Sequence, residues 1–178
     1  MSPKGLVIFA HGSGSSRFSA RNRLVAEALN RSGFATLLFD LLTPREDRDR
    51  DTRFDIPLLA RRLQAALDWA SRESGQGRLP IALFGASTGA AAALAVAAAR
   101  PRDVEAVVSR GGRPDLAGHG VLAQVRTPTL LIVGGADPEV LELNRGAKAI
   151  MGGPVELAIV PGATHLFEEP GALEQIAT

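Results

Sequence analysis

The chain has 178 residues, with 20 lysines and arginines against 19 aspartates and glutamates, a formal net charge of +1 and no cysteine. This length suits one domain with a sizeable core, and we predict a single domain over residues 1–178. The charge balance, without a basic stripe or stacking aromatics, excludes a nucleic-acid-binding surface, and the missing cysteines exclude disulfides, thiol-ligated metals and a cysteine nucleophile.

The predicted strands are six short apolar runs, and helical patterns separate them. The runs are 5–10, 35–40, 79–85, 104–109, 128–134 and 155–161, each nearly continuous in apolar residues, as in strands covered on both faces. The helical segments are 18–32, 56–73, 88–100, 138–150 and 168–177. This alternation predicts an α/β fold with a doubly wound, mainly parallel six-stranded sheet and helices on both faces.

The first apolar run bears on the location of the protein. It covers about six residues before a His-Gly pair, which is too short for a signal peptide or a membrane span. We therefore expect a cytoplasmic protein that does not interact with a membrane. The oligomeric state is left open by the sequence.

Residues 45–53, "REDRDRDTR", interrupt the alternation with eight charges in nine positions, four of each sign. Such a run is typical of a solvated loop. The alternative is a flap over a ligand, because the segment follows the carboxyl end of the second strand, where open α/β sheets bind their ligands. The sequence leaves both interpretations open.

The stretch "FGASTGAAAAL" at 84–94 places Ser87 between Gly85 and Gly89, after a predicted strand and before a predicted helix. This G-x-S-x-G pattern is typical of a nucleophile in a strained strand-to-helix turn, where the flanking positions must lack bulk. The hydroxyl then projects from the sheet edge near the positive end of the helix. We predict that Ser87 is a nucleophile; the alternative is a small residue in an alanine-rich helix start.

A nucleophilic serine needs a base, and the chain offers three histidines. His165 follows the last predicted strand in "PGATHLF", at the edge where ligands bind, and we predict it as the base. His11 follows the first strand in "HGSG" and is predicted to be structural, fixing its loop through side-chain hydrogen bonds. His119 lies in a helix or loop with no place at that edge.

The acid that orients the base is expected at a strand end between the serine and the histidine in the chain. Asp137 follows the fifth run, 50 residues after Ser87 and 28 before His165, which gives the order Ser, Asp, His. Asp137 also precedes Pro138, a pattern typical of a helix N-cap, so a capping role is the alternative. Asp115 is the reserve candidate for the acid.

An oxyanion hole needs two backbone N–H groups near the developing negative oxygen. One is expected from Thr88, directly after the nucleophile, and the other from the "HGSG" loop after the first strand, where we choose Ser13. The glycines of that loop let the main chain approach the substrate closely.

Arginines near the same edge suggest how a substrate would be held. Arg17 and Arg110 are candidates for binding a substrate carboxylate or phosphate, because a guanidinium offers two parallel donors. The alternative is an ordinary ion pair within the protein, with Asp40 or Asp115 as the partner.

Five stretches in order carry a resemblance to a known family: "HGSGSSRFSARN", "LLFDLLTPRE", "FGASTGAAAAL", "VVSRGGRPDLAG" and "PTLLIVGGADPEVLELNR". Together they resemble the α/β hydrolases, in particular the dienelactone hydrolase-like family and a subgroup of it that also occurs fused to phosphoribosyltransferase domains. The likeness covers nearly the whole chain. It implies hydrolysis of esters or lactones by Ser87, Asp137 and His165, without a metal or an organic cofactor.

The chain departs from that family in its nucleophile and at both ends. The namesake enzymes use cysteine where this chain has serine, so dienelactone itself is not the expected substrate. The chain begins at the strand before the "HGSG" loop and stops at "LEQIAT", without the two N-terminal strands usual in the fold. We therefore expect a minimal α/β-hydrolase fold with little or no cap, an exposed site and small substrates.

The predicted function is a serine hydrolase that cleaves small carboxylic esters or lactones through an acyl-enzyme. One alternative is a catalytically silent binding or partner module on the same scaffold. A remoter one is a nucleotide-binding Rossmann domain, since Gly12 and Gly14 follow the first strand and Asp40 ends the second. That fingerprint is incomplete, because Arg17 stands at the third glycine position.

Overall fold

One sheet of parallel strands organises the chain, whose structure, a computed structural model, describes residues 2–73 and 79–176. The strands are β1 Leu6–Ala10, β2 Ala35–Leu38, β3 Ile81–Ala86, β4 Ala106–Arg110, β5 Thr129–Gly134 and β6 Val155–Val160. They lie in the order β2-β1-β3-β4-β5-β6, and every neighbouring pair is parallel. The six predicted strands and the parallel sheet are confirmed, and their carboxyl ends share one edge.

The helices follow the strands in chain order. They are α1 Ala20–Arg31, α2 Arg50–Arg53, α3 Ile56–Glu73, α4 Thr88–Ala99, α5 His119–Leu122, α6 Pro138–Ile150 and α7 Ala172–Ile176. The predictions for α1, α3, α4 and α6 are confirmed to within two residues at each end, whereas the short helices α2 and α5 were not predicted.

The last helix is shorter than the predicted segment 168–177, whose residue 177 lies outside the described residues. Gly171 has a φ of 80°, which no residue inside a right-handed helix adopts, so α7 begins only at Ala172.

Helices α3 and α4 cover one face of the sheet. The apolar stripe of α3 places Leu63 and Leu67 against Leu83 of β3 and Leu94 of α4, and all four side chains are fully buried. The alanines of α4 allow the helix to lie close to the sheet. Among the described residues no helix is both long and apolar enough to cross a bilayer.

The opposite face carries two smaller apolar clusters. Phe9 of β1 and Phe84 of β3 lie with ring centroids 4.8 Å apart, and Val25 of α1 packs on them. Near α7, Ile132 of β5 packs with Phe167 from the loop after β6. Helices on both faces, as predicted, leave the carboxyl edge of the strands as the place where polar groups meet.

Candidate active site

Ser87 lies in the turn between β3 and α4 in a strained backbone conformation, with φ 50° and ψ −120°. In the described part of the chain, Ser87 and Phe167 are the two residues other than glycine with a positive φ. Strain of this kind costs about 1–3 kcal/mol and persists only where surrounding contacts impose it. The contacts here are backbone hydrogen bonds: Ser87 donates to the carbonyl of Arg110 at 3.3 Å and accepts from the N–H of Arg113 at 3.1 Å.

The two glycines around Ser87 are required by close packing. A Cβ on Gly85 would overlap the Cα of Ala90, and a Cβ on Gly89 would overlap the carbonyl oxygen of Ala10. Both obstacles are backbone atoms, which do not move aside as a flexible side chain does. The G-x-S-x-G spacing is therefore required because α4 lies in close contact with β1 and β3.

Gly89→Ala is expected to lower the free energy of unfolding by about 3 kcal/mol or more, because the added methyl group meets backbone. Gly146→Ala is the matched control. Gly146 lies inside α6 with nothing within 4 Å of an added Cβ, so alanine should stabilise the protein by about 0.5–1 kcal/mol. Urea unfolding of both variants measures this, and similar stabilities would contradict the packing argument.

His165 and Asp137 form a hydrogen bond of 2.8 Å between Nδ1 and Oδ2. The same carboxylate caps α6, because its Oδ1 accepts from the N–H of Val140 at 3.5 Å. The carboxylate of Asp137 therefore both caps α6 and contacts the imidazole of His165. With the proton of the imidazole on Nδ1, Nε2 of His165 is left free to accept a proton.

The reserve acid lies elsewhere in the site. Asp115 accepts two hydrogen bonds from Arg113, at 2.9 and 2.7 Å, and it does not contact His165. The ion pair raises the pKa of Arg113. His119 is exposed at the start of α5, between β4 and β5. Among the described residues no group of three histidines, aspartates or glutamates is placed to hold a metal ion.

Gly111 connects the histidine loop to the nucleophile. It follows Arg110, whose carbonyl accepts from Ser87, and a Cβ built on Gly111 would lie 3.0 Å from the carbonyl oxygen of His165 and 3.7 Å from its Cε1. Phe167 is buried against the same position, with Cε2 at 3.3 Å. The loop that carries His165 thus packs on the chain segment beside Ser87.

The loop after β1 lies against the nucleophile from the other side. A Cβ on Gly12 would be 3.0 Å from the Cβ of Ser87. The N–H of Ser15 donates to the carbonyl of Gly12 at 3.1 Å, which makes a tight turn around Ser13. Thr88 begins α4, where the first N–H groups of a helix have no partner within the helix. These are the two positions predicted to supply oxyanion-hole donors.

His11 uses both ring nitrogens to fix this loop. Nε2 accepts from the N–H of Leu41 at 3.0 Å, and Nδ1 pairs with the carbonyl of Gly12 at 2.9 Å. The side chain is buried and ties the loop to the chain that follows β2. Its contacts are those of a structural histidine, and neither nitrogen remains for proton transfer.

Of the two arginines proposed as anion binders, Arg17 has a partner within the protein. Its guanidinium forms an ion pair with Asp40, and its backbone N–H donates to the same carboxylate at 2.7 Å. The guanidinium also stacks on the exposed ring of Phe18, 4.4 Å from the centroid. Arg17 therefore makes the ordinary ion pair that was the alternative.

Arg110, unlike Arg17, is buried. The residue is 8% exposed and its Nη1 is buried; among the described residues neither an acidic side chain nor any other group pairs with that nitrogen. The guanidinium lies 5.7 Å from the ring of Phe84. Burial, reinforced by the nearby charge of Arg21, lowers the pKa of Arg110 to about 10. Arg21 itself binds Glu168 at 3.0 Å.

The sequence did not identify one group of residues at this site. The charged segment 45–53 forms a short 3₁₀ turn at Glu46–Arg48 and the helix α2, and its residues Asp47 and Arg53 reach the loop that carries Ser13. From the sequence the segment stands out by its charges, and its position after β2 makes a flap one of the two interpretations. Nothing in its charge pattern distinguishes the residues that turn inward from those that face solvent.

The chain matches a protein-family model and is similar to proteins of known structure. Residues 3–175 match the model of the alpha/beta hydrolase domain. The crystal structure of a dienelactone hydrolase from Anabaena variabilis is similar with a TM-score of 0.94 and 55% identity, over 98% of this chain and 82% of that one. Est1E from Butyrivibrio proteoclasticus, with a TM-score of 0.82 and 16% identity over 99% and 85% of the two chains, shares the fold.

Two relatives from Mycobacterium tuberculosis, both named "Putative phosphoribosyl transferase", are 64% identical to the chain over 176 residues. The match covers 98% of this chain but only 39% of theirs, so the chain spans well under half the length of these relatives. The family model, by contrast, covers this chain almost from end to end. The chain belongs to the α/β-hydrolase family, on its dienelactone hydrolase-like branch.

Proposed function

We propose that the chain is a serine hydrolase that cleaves small carboxylic esters or lactones through an acyl-enzyme on Ser87. The observation that carries this proposal is the 2.8 Å hydrogen bond between His165 and Asp137. The loop that carries His165 packs against the chain beside Ser87. A partly buried carboxylate that orients an imidazole, on a loop next to a strained serine, provides the three groups that such a mechanism needs: a nucleophile, a base and an orienting acid.

In this proposal the Oγ of Ser87 attacks the ester carbonyl while Nε2 of His165 takes its proton, and Asp137 stabilises the imidazolium that forms. The N–H groups of Ser13 and Thr88 donate to the oxyanion of the tetrahedral intermediate. Its collapse expels the alcohol, which takes the proton from His165. A water molecule, deprotonated by the same histidine, then releases the acid and restores the serine.

Arg110 supports a narrower substrate class, an ester that also carries a carboxylate or a phosphate. A buried guanidinium without an acidic partner among the described residues is unfavourable unless an anion neutralises it. Arg110 ends β4 beside the turn of Ser87, since its backbone carbonyl accepts from the N–H of Ser87, and in this proposal the anion bound by its guanidinium is part of the ester under attack. Arg17, already paired with Asp40, is the weaker candidate for this role.

The test compares the wild-type protein with Asp137→Asn on a chromogenic short-chain ester. Asparagine caps a helix as well as aspartate does, so the melting temperature should change little. It cannot stabilise the imidazolium, so kcat should fall by about 10³–10⁴-fold with little change in KM.

Equal activity of the two proteins would show that Asp137 does not take part in the mechanism. Absence of both turnover and labelling by a fluorophosphonate probe in the wild-type protein would overturn the hydrolase proposal. That result would favour the alternative of a binding or partner module on the same scaffold.

A further inference from the structure

The charged segment 45–53 is fixed in place by its own side chains. Glu46 accepts from the N–H of Thr43 at 2.8 Å and from Arg62 of α3 at 2.9 Å, and these bonds lower the pKa of its carboxyl. Asp49 caps α2 by accepting from Thr52 at 2.8 Å and from the N–H of Asp51 at 3.0 Å. The segment is therefore a folded strap anchored on α3.

The strap ends at Arg53, which contacts the loop that follows β1. A Cβ built on Gly14 would lie 3.4 Å from Nη1 of Arg53. Gly14 belongs to the same turn as Ser13, the proposed oxyanion donor from this loop. A positive charge is thus held next to the backbone that faces the developing negative oxygen.

A small cavity lies between the strap, this loop and the nucleophile turn. It has a volume of about 10 Å³, and its walls include Ser13, Asp47, Arg53 and Thr88. Three of these side chains each have a buried polar atom without a hydrogen-bond partner in the described residues: Oδ1 of Asp47, Nε of Arg53 and Oγ1 of Thr88. This is at the lower limit of the space, about 10–15 Å³, that a cavity needs to hold one water molecule.

The three atoms match what a single water molecule needs. Asp47 accepts, Arg53 donates and the Thr88 hydroxyl does either, and a buried water typically makes two to four such bonds. Oδ1 of Asp47 and Nε of Arg53 therefore do not bond to each other directly or to another of the described residues. A bridging water molecule would give each of these two buried atoms a hydrogen-bond partner.

From this we propose that one buried water molecule joins Asp47, Arg53 and Thr88, and that Arg53 is a positioning residue for the oxyanion hole. The inference rests on the proposed hydrolase function of Ser87. By holding the side chain of Thr88, the bridge fixes the backbone N–H that immediately follows the nucleophile. Donors held in place before the reaction stabilise an oxyanion without reorganising during it.

The test is a double-mutant cycle with Arg53→Met and Thr88→Val, which leaves the backbone N–H of residue 88 intact. Each single change should lower kcat and the rate of fluorophosphonate labelling about tenfold, with KM nearly unchanged, because the loss concerns the oxyanion. The double variant should lose about the same tenfold, since both changes break one bridge. Thr88→Ser keeps the hydroxyl, so it should lose less activity than Thr88→Val.

Arg50→Met is the matched control, because Arg50 lies on the same strap with the same charge and stacks on Phe54 at 5.5 Å. Its activity should stay within about twofold of the wild type. Effects of Arg53→Met and Thr88→Val that multiply, or that appear in KM, would overturn the bridge. So would an equal loss in Arg50→Met.

A high-resolution crystal structure gives a readout that does not depend on activity. A water molecule within hydrogen-bonding distance of Asp47, Arg53 and Thr88 supports the bridge. A direct bond between Arg53 and either of the other two side chains overturns it. A wild-type protein without turnover or labelling would instead refute the hydrolase proposal, and the crystal structure would still decide the bridge.

Discussion

Replacing Ser87 by glycine should abolish ester hydrolysis and at the same time stabilise the protein. The loss of the hydroxyl removes the attacking atom, so turnover should fall by at least about 10⁴-fold. The gain in stability follows from the backbone, because glycine adopts φ 50° and ψ −120° without the strain that a Cβ causes. Part of the gain is offset by the greater freedom of glycine in the unfolded chain.

Ser87→Ala is the control for this prediction, since it removes the same hydroxyl and keeps the Cβ. Both variants should be inactive and unlabelled by a fluorophosphonate, but the glycine variant should melt about 2–4 °C higher than the alanine variant. Residual turnover in Ser87→Ala would place the nucleophile elsewhere. Equal melting temperatures would show that the turn is not strained.

Arg110→Met should also stabilise the protein, and it should weaken the binding of anionic esters only. The lowering of the Arg110 pKa to about 10 means that burial disfavours the charged form, by on the order of 3 kcal/mol. Methionine fills a similar volume without a charge, so the free energy of unfolding should rise by about 1–3 kcal/mol. KM for an ester with a free carboxylate or phosphate should rise at least about tenfold, and KM for a neutral ester should not change.

The stability difference between the wild-type protein and Arg110→Met should depend on pH in a definite direction. The folded state releases the Arg110 proton at a lower pH than the unfolded state, so the penalty is present in full below about pH 10. It is relieved as the pH rises above about 10 towards the ordinary pKa of an arginine, and the stability advantage of the methionine variant should shrink over that interval.

Arg113→Met provides the comparison, because Arg113 is paired with Asp115 by two hydrogen bonds. Removing a paired charge should give no stabilisation and no change in the preference between neutral and anionic esters. If Arg110→Met changed KM equally for both esters, Arg110 would not be an anion site.

The elements that the sequence predicted are those specified by local patterns. An apolar run buried on both faces is nearly continuous, so all six strands were recognisable, and the glycines around Ser87 marked the turn that close packing requires. The hydrogen bond between His165 and Asp137 was also foreseeable, because both residues directly follow strands whose carboxyl ends share one edge.

What escaped prediction depends on contacts between distant residues. The order of the strands follows from tertiary packing, and the strap at 45–53 folds through bonds such as Glu46 to Arg62, which charge alone does not indicate. The two candidate arginines looked alike in the sequence. Only their side-chain directions separate them, with Arg17 turned to Asp40 and Arg110 turned inward.

The alanine-rich helix α4 also bears on which of two residues, Ser87 or His165, is held more rigidly. Residues 90–94 are fully shielded from solvent, and alanine loses no rotamer freedom on folding, so ordering the alanines of this helix costs backbone entropy alone. The turn that carries Ser87 is attached to a part of the molecule that opens only on global unfolding. His165, 37% exposed on a loop, belongs to a part that opens more readily. For the proposed mechanism we therefore expect the imidazole to approach a hydroxyl that stays in place.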